Sequence, residues 1–117
     1  MENTVLEKFH QGRQSLGTFS AIGSPLAVES LRYTGLDYVI VDTEHSPAGI
    51  ESAAAQIAAA QGAGLTALAR ANEISRTAVL RLLDVGAQGV VVPCVETVEE
   101  VRELVRYAKF APLGNRG

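Results

Sequence analysis

The residues best suited to chemistry stand together in Asp42-Thr43-Glu44-His45, directly after an apolar run that ends at Val41. Two carboxylates and an imidazole beside a buried strand are costly unless they pair with one another or meet a ligand. His45 is the candidate general acid/base, because imidazole titrates near neutral pH and Asp42 or Glu44 could fix its tautomer. The alternative is a loop histidine that caps the helix predicted to begin at Ser46. The cluster favours a functional role.

Arg70 ends the next apolar run, Thr66 to Ala69. A guanidinium at this position can offer two parallel N–H donors to a carboxylate or to a developing enolate oxygen. The alternative is a structural ion pair with Asp42 or Glu44. These two interpretations are compatible, and we expect Arg70 to contact substrate on the same side of the fold as His45.

Asp84 lies in the last turn of a predicted helix, just before Gly86, where the helix dipole disfavours a negative charge. A loop amide, an arginine of a neighbouring subunit or the region of His45 could offset that cost, and the alternative is a plain exposed carboxylate. His10 and Cys94 have no neighbours in sequence that would activate them. We therefore expect no catalytic role for His10, and for Cys94 a small, buried, apolar role.

Four repeats of a short apolar run, a loop and an amphipathic helix organise the chain, after a prefix helix opened by a Thr4–Glu7 capping box and ended at Gly12. The apolar runs are predicted strands at Leu16 to Ser20, Tyr38 to Val41, Thr66 to Ala69, and Gly89 to Val92. The helices carry start or stop signals at Ser24-Pro25 and Gly35, at Ser46-Pro47 and Gly62, at Gly86, and in a second capping box, Thr97 and Glu100. The third presents Ile74, Ala78 and Leu82 on one face, and the fourth presents Val98, Val101, Leu104, Val105 and Ala108.

This alternation predicts an α/β fold with a parallel sheet. The continuous apolar runs DYVIVD and GVVVP predict strands buried on both faces. No GxGxxG or GxxxxGK[ST] motif is present, which disfavours a doubly wound nucleotide-binding fold. The fold class predicted is therefore a (β/α)₈ TIM barrel, of which residues 1–117 supply the N-terminal half of a single domain: a prefix helix and about four β/α units. An open half exposes its edge strands, so we expect copies of the chain or a C-terminal half to pack against it.

Composition excludes several partners. The formal net charge is −3 and the sequence pI is about 5.3, so no basic surplus exists to bind a nucleic-acid backbone. No apolar run approaches the roughly 18 residues that indicate a membrane span. The single cysteine and the polar N-terminus favour a reducing, cytoplasmic setting.

Three stretches together resemble the HpcH/HpaI aldolase family, the class II pyruvate aldolases that include 4-hydroxy-2-oxoheptanedioate aldolase. They are DYVIVDTEHSP at Asp37 to Pro47, LDVGAQGVVVP at Leu83 to Pro93, and PLGNRG at Pro112 to Gly117. The similarity covers nearly the whole chain but only the first half of a family member.

The resemblance implies a metal-dependent lyase that cleaves 4-hydroxy-2-oxo acids into pyruvate and an aldehyde. By this similarity His45 matches the acid/base histidine, Asp42 its partner carboxylate, Arg70 the arginine that steadies the keto or enolate oxygen, and Asp84 an aspartate near the site. It implies a divalent metal, Mg²⁺, Mn²⁺ or Co²⁺, whose Glu and Asp ligands come from strands outside this segment. It also implies a homo-oligomer, a hexamer, that acts on a small 2-oxo acid.

Three alternatives stay open at this point. The segment alone could be a catalytically silent half-barrel or an interaction module, since its residues do not supply a metal site. A relative from the acyl-CoA lyase branch is the second. The third is a phosphate-binding barrel that uses the amides of the PLGNRG loop.

Overall fold

The computed structural model describes residues 2–117. Its four strands are β1 (Gly17–Ser20), β2 (Tyr38–Asp42), β3 (Thr66–Arg70) and β4 (Gly89–Val91). Its α-helices are α1 (Thr4–His10), α2 (Pro25–Ser30), α3 (Ile50–Gly62), α4 (Arg76–Asp84) and α5 (Val98–Ala108), and a short 3₁₀ turn, Leu31–Tyr33, follows α2. The predicted order of a prefix helix and four β/α units is confirmed.

The strands form one parallel sheet in the order β1-β2-β3-β4. Each strand lies beside the next one along the chain, and helices α2, α3 and α4 return the chain between them. This consecutive order is that of a barrel wall opened after its fourth strand. Within residues 2–117, β1 and β4 each pair on one side only.

The core lies between the sheet and the helices. Val39, Val41, Ala67 and Ala69 point from β2 and β3 toward α3 and are fully buried. The alanines of α3 let that helix lie close to the strands, as the sequence predicts. The opposite, inner face is open: Phe19 is 50% exposed. Burial on both faces is predicted for strands of a complete barrel, and within residues 2–117 only the face toward the helices is covered.

Two glycines make room for large side chains on that inner face. A Cβ at Gly17 would lie 2.3 Å from the Tyr38 ring, and a Cβ at Gly89 would lie 2.8 Å from the Leu68 side chain. Gly17 is the partner of Tyr38 in the β1–β2 register, and Gly89 is the partner of Leu68 in the β3–β4 register. Large and small residues thus alternate between neighbouring strands, as in a packed barrel interior.

Several helix starts differ from their predictions. Asn3, not Thr4, caps α1 by accepting the Leu6 amide, since Thr4 is already the first helical residue. Helix α3 begins after Gly49 and not at Ser46, whose hydroxyl instead donates to the Asp42 carbonyl and holds the loop. Ile74 precedes α4, which begins after its cap, Ser75.

Other end signals act as predicted. Ser24 caps α2, although the α-helix ends at Ser30 and the 3₁₀ turn carries the chain toward Gly35. Thr97 and Glu100 form the complete capping box of α5. Hydrogen bonds from the Glu96 and Thr97 amides lower the pKa of the Glu100 carboxyl.

One ion pair connects helix α1 to the residue that precedes β2, at the amino ends of the strands. The Lys8 ammonium lies 2.6 Å from the Asp37 carboxylate, which also accepts the Leu16 amide at 2.9 Å. These contacts, the Lys8 bond first, lower the pKa of Asp37. In residues 2–117, no helix combines the length and the apolar character needed to cross a membrane.

Candidate active site

A buried ion pair forms the centre of the site. Arg70 donates from Nε to Asp42 Oδ1 at 3.0 Å and from Nη2 to Asp42 Oδ2 at 2.6 Å. The Asp42 side chain is only 3% exposed and the Arg70 side chain 22%. This is the bidentate geometry in which a guanidinium and a carboxylate bind most strongly.

The strand register explains why these two residues meet. Asp42 ends β2 and Arg70 ends β3, and the two are direct partners in the parallel ladder. Their side chains therefore lie side by side at the carboxyl edge of the sheet, which is the edge where β/α barrels carry their active sites. The sequence prediction that both belong to this edge is met by the structure.

The loop after β2 folds around the Asp42 carboxylate. Its Oδ1 accepts the backbone N–H of Glu44 at 2.9 Å and that of His45 at 3.2 Å. Thr43 ties the same loop to β3, because both its amide and its hydroxyl donate to the Arg70 carbonyl. The loop is thus held at both strands.

These bonds keep Asp42 ionised. The hydrogen bond from Arg70, followed by those from the two loop amides, lowers the pKa of Asp42 to about 2 in spite of its burial. The same pairing raises the pKa of Arg70. At neutral pH the pair is therefore a fixed carboxylate beside a fixed guanidinium.

His45 and Arg70 converge on a second carboxylate, that of Glu44. The Glu44 Oε2 atom lies 3.4 Å from His45 Nε2 and 3.4 Å from Arg70 Nε. The His45 side chain is 69% exposed, whereas that of Glu44 is 19% exposed. Of the two carboxylates expected to orient the imidazole, Glu44 contacts it, and Asp42 binds only the His45 backbone.

Phe19 is a neighbour of this site that sequence reasoning missed. The Arg70 guanidinium carbon lies 4.6 Å from the centre of the Phe19 ring, within cation–π distance. Phe19 lies on the inner face of β1, a strand that pairs with β2 but not with β3. Phe19 follows Gly17 by two residues, and side chains two residues apart in a strand lie on the same face. This spacing was the signal in the sequence that could have placed Phe19 there.

A buried polar chain ties β1 to α3, and it too was missed. The fully buried Gln56 accepts the Ser20 hydroxyl at 2.8 Å and donates to the Ser52 hydroxyl at 3.3 Å. The Ser52 hydroxyl in turn reaches the Gly23 carbonyl at 3.5 Å. This chain fixes the loop after β1 next to Phe19. A glutamine amid the alanines of a predicted helix was the available signal.

Asp84 lies away from these residues. Asp84 is the last residue of α4, and α4 runs antiparallel to the strands. Within one chain it therefore lies near the amino ends of the strands, whereas Asp42 lies at their carboxyl ends. Its carboxylate is 52% exposed and accepts from Nη2 of Arg116 at 2.8 Å. The positive charge of Arg116, in the PLGNRG loop, thus offsets the unfavourable position of the Asp84 carboxylate at the C-terminus of the helix.

The other candidates are also placed. His10 lies exposed on α1, far in the fold from the Asp42 edge. Cys94 follows β4 and is exposed, so the prediction of a buried role is wrong. Its backbone has φ 58°, in the left-handed region, because the chain turns sharply away from the sheet after Pro93. Within residues 2–117, no group of three or more His, Cys, Asp or Glu side chains is placed to hold a metal ion.

Residues 15–117 match the family model described as HpcH/HpaI aldolase/citrate lyase. The chain belongs to this family. A hydroxypyruvate/pyruvate aldolase of Roseovarius nubinhibens is 34% identical over 98% of the chain and 45% of the relative. A 4-hydroxy-2-oxo-heptane-1,7-dioate aldolase of Escherichia coli is 31% identical over 100% of the chain and 45% of the relative. The chain therefore spans about half the length of the curated relatives it matches.

Solved structures give the same result. The HpcH/HpaI aldolase from Desulfitobacterium hafniense superposes with a TM-score of 0.89 at 38% identity, over 97% of this chain and 44% of that one. The citrate synthase SbnG superposes with a TM-score of 0.88 at 31% identity, over 95% of this chain and 45% of that one. The fold is thus part of an HpcH/HpaI aldolase barrel, as predicted.

Proposed function

We propose that this chain carries the acid/base and oxyanion-binding side of a pyruvate aldolase, which cleaves 4-hydroxy-2-oxo acids to pyruvate and an aldehyde. The observation that carries the proposal is the Asp42–Arg70 pair beside an exposed imidazole at the carboxyl edge of the sheet. Retro-aldol cleavage needs a cation near the enolate oxygen and a group that removes the proton of the 4-hydroxyl. Arg70 and His45 supply these two chemistries.

Arg70 is prepared for the first task. Its bonds to Asp42 use Nε and Nη2, which leaves Nη1 for an oxygen of the substrate. Asp42 on one side and the Phe19 ring on the other fix the plane of the guanidinium. A donor that is already oriented loses little energy in reorganisation when negative charge develops on the enolate.

His45 is placed for the second task. Its imidazole is exposed to a ligand and contacts Glu44 through Nε2. In the cleavage direction His45 would take the proton of the 4-hydroxyl, directly or through water, as the carbon–carbon bond breaks. The electrons of that bond pass to the pyruvate fragment, whose enolate oxygen would face Arg70. The enolate then takes a proton from water at its methylene carbon, which becomes the methyl group of pyruvate, and the imidazolium of His45 returns its proton to the solvent.

A divalent metal is a further part of the proposal. Such an ion would supply a positive charge that binds pyruvate and stabilises its enolate. The described residues do not fit such an ion, since Asp42 is saturated by donors and residues 2–117 contain no cluster of ligands. Mg²⁺, Mn²⁺ or Co²⁺ would therefore need ligands from outside these residues.

The proposal is tested by measuring pyruvate release from a panel of 4-hydroxy-2-oxo acids, coupled to lactate dehydrogenase. The protein assayed is the chain together with the remaining barrel. We expect His45→Ala to lower kcat by on the order of 10² to 10⁴. His10→Ala is the matched control, because His10 is exposed and distant from the Asp42 edge, and it should leave the rate unchanged. EDTA should abolish the rate and Mg²⁺, Mn²⁺ or Co²⁺ should restore it. An unchanged rate in His45→Ala would remove His45 from the mechanism, and full activity in EDTA would remove the metal.

The second candidate is a half-barrel without activity of its own. The lack of a ligand cluster within residues 2–117 favours it for this segment. The same assay separates the two: no pyruvate from the 117-residue chain at any metal concentration, together with activity when the remaining barrel is present, would assign catalysis to the assembled barrel.

A further inference from the structure

A buried glutamine on α3 bonds to the loop that follows β1. Gln56 is 0% exposed and lies among the alanines and Ile57 through which α3 packs on β2 and β3. A leucine of similar size would fill the same space without removing an amide from water. The amide is therefore not required for packing, and what distinguishes it is the set of groups that it bonds.

These bonds hold both ends of the loop. Gln56 Oε1 accepts the hydroxyl of Ser20, the last residue of β1, at 2.8 Å. Gln56 Nε2 donates to the Ser52 hydroxyl at 3.3 Å, and that hydroxyl donates to the Gly23 carbonyl at 3.5 Å. Gly23 has a φ of 76°, in the left-handed region, where the chain turns toward α2. The loop is thus attached to α3 at both of its ends.

Ser20 is the neighbour of Phe19 in β1. Successive side chains of a strand lie on opposite faces, so Ser20 bonds to α3 while the Phe19 ring lies on the inner face. There the centre of the ring is 4.6 Å from the Arg70 guanidinium carbon. Phe19 is 50% exposed, so core packing does not fix the ring on all sides. The place of the ring therefore depends on the position of the β1 backbone.

The contact between the ring and the guanidinium spans two strands. Arg70 lies on β3, and within residues 2–117 β1 pairs with β2 only. Helix α3 supports all three strands, because it packs on β2 and β3 and bonds to β1 through Gln56. One helix thus sets the position of the Phe19 ring relative to Arg70.

We propose that Gln56 is a positioning residue for Arg70. Acting through Ser20 and β1, it holds the Phe19 ring against one face of the guanidinium, while Asp42 binds the edge. The guanidinium then keeps one orientation as negative charge develops on the enolate oxygen. The catalytic part of this inference rests on the aldolase function proposed above, whereas the placement of the ring does not.

Nuclear magnetic resonance measures the placement of the ring without any substrate. The ring current of Phe19 shifts the Arg70 Nε–H signal in ¹H–¹⁵N spectra of the labelled chain, assembled with an unlabelled remaining barrel. Arg70→Lys identifies that signal, and Phe19→Leu shows its position without the ring. We expect Gln56→Leu to move the signal toward the Phe19→Leu position. Gln61→Leu is the matched control and should leave the signal in place, because Gln61 lies on the same helix but donates to the Gly86 carbonyl at 2.7 Å.

Kinetics of the same assembled barrel tests the catalytic part. Gln56→Leu should lower kcat by roughly tenfold, within the roughly 10²-fold loss that a misplacement of about 1 Å can cause. KM should change by less than about twofold, because the enolate charge that Arg70 binds develops only in the transition state. In the Phe19→Leu background, Gln56→Leu should cause no further loss of kcat.

Oxalate is the probe for the oriented guanidinium, because it is planar and carries an anionic oxygen where the enolate does. Its inhibition constant does not depend on the fraction of enzyme that is folded. In Gln56→Leu this constant should rise by roughly the factor by which kcat falls. An unchanged kcat and an unchanged inhibition constant would overturn the catalytic part of the proposal.

A double variant separates positioning from stability. Ser20→Ala combined with Gln56→Leu removes both polar groups, so urea unfolding should show part of the lost stability regained, while the bond to β1 stays broken. We expect kcat and the Arg70 signal to remain at their Gln56→Leu values.

Recovery of kcat and of the Arg70 signal together with stability would overturn the proposal, because it would show a purely structural role for Gln56. An Arg70 signal that Gln56→Leu does not move would overturn it as well, and so would equal effects of Gln56→Leu and Gln61→Leu. If the wild type cleaves no 4-hydroxy-2-oxo acid, the aldolase proposal fails, and the resonance spectra still decide whether Gln56 places the ring on Arg70.

Discussion

Replacement of Asp42 by asparagine tests the central ion pair. Asn is nearly isosteric and keeps an Oδ1 that can accept the amides of Glu44 and His45. It removes the negative charge that Arg70 binds through two donors. The perturbation is therefore electrostatic, and the shape of the site should be retained.

The magnitude follows from the pKa of Asp42. That pKa is about 2 in the folded chain against an ordinary value of 3.8, a difference that corresponds to about 2 kcal/mol of stability at neutral pH. Leaving a partly buried arginine without its carboxylate adds to this loss. Because Arg70 is 22% exposed and can be hydrated, we expect Asp42→Asn to cost about 2–3 kcal/mol in total.

The sign of the pH dependence follows from the same shift. The folded pKa lies below the unfolded one, so the contribution of Asp42 is complete above about pH 4 and is lost as the pH falls through about 2. Wild type and Asp42→Asn should therefore differ most at neutral pH and converge in acid. The lowered pKa of Asp37 adds a similar slope to both proteins and cancels in the comparison.

Urea unfolding at a series of pH values between 7 and 2 measures the effect. The matched control is Asp84→Asn, which breaks an ion pair whose carboxylate is 52% exposed and should cost less than about 1 kcal/mol. A constant difference between wild type and Asp42→Asn across the pH range would refute the reasoning, because it would show that the charge of Asp42 does not stabilise the fold.

Two further substitutions test the packing beneath the site by urea unfolding. Gly17→Ala should cost about 1–3 kcal/mol, because its Cβ would overlap the Tyr38 ring; Gly62→Ala, in open space at the end of α3, should be neutral or stabilising by up to about 1 kcal/mol, and equal effects would contradict the overlap. Gln56→Leu should cost about 1–3 kcal/mol by leaving the buried Ser20 hydroxyl without an acceptor. Adding Ser20→Ala should recover part of that loss, and strictly additive losses would show that the two side chains are not coupled.

The order of elements could be predicted because each is written in a local pattern. The alternation of apolar runs with amphipathic, glycine-ended segments fixes four β/α units, and all four are found. The start of α3 could not be predicted from Ser46-Pro47, although this pair is a good start signal. The Ser46 hydroxyl instead donates to the Asp42 carbonyl, four residues earlier in the same loop, and the helix begins only after Gly49.

The site could be predicted as a list of residues but not as a set of pairs. Position at strand ends brought Asp42, His45 and Arg70 to one edge. Which groups bond to each other depends on the β2–β3 register, which aligns Asp42 with Arg70 and which no local signal contains. Phe19 and Gln56 were missed for the same reason: each acquires its role from a residue on another element.

These pairings divide the work of the site among its residues. The two oxygens of Asp42 accept two guanidinium donors and two amides, and a carboxyl with a pKa of about 2 carries no proton at neutral pH. Asp42 is therefore suited to holding Arg70 and the loop, and unsuited to moving a proton. That task is left to the exposed His45, which lies on a loop that Asp42 itself fastens. The proposed acid/base group and the proposed enolate-binding group thus share one anchor, which sets the distance between them.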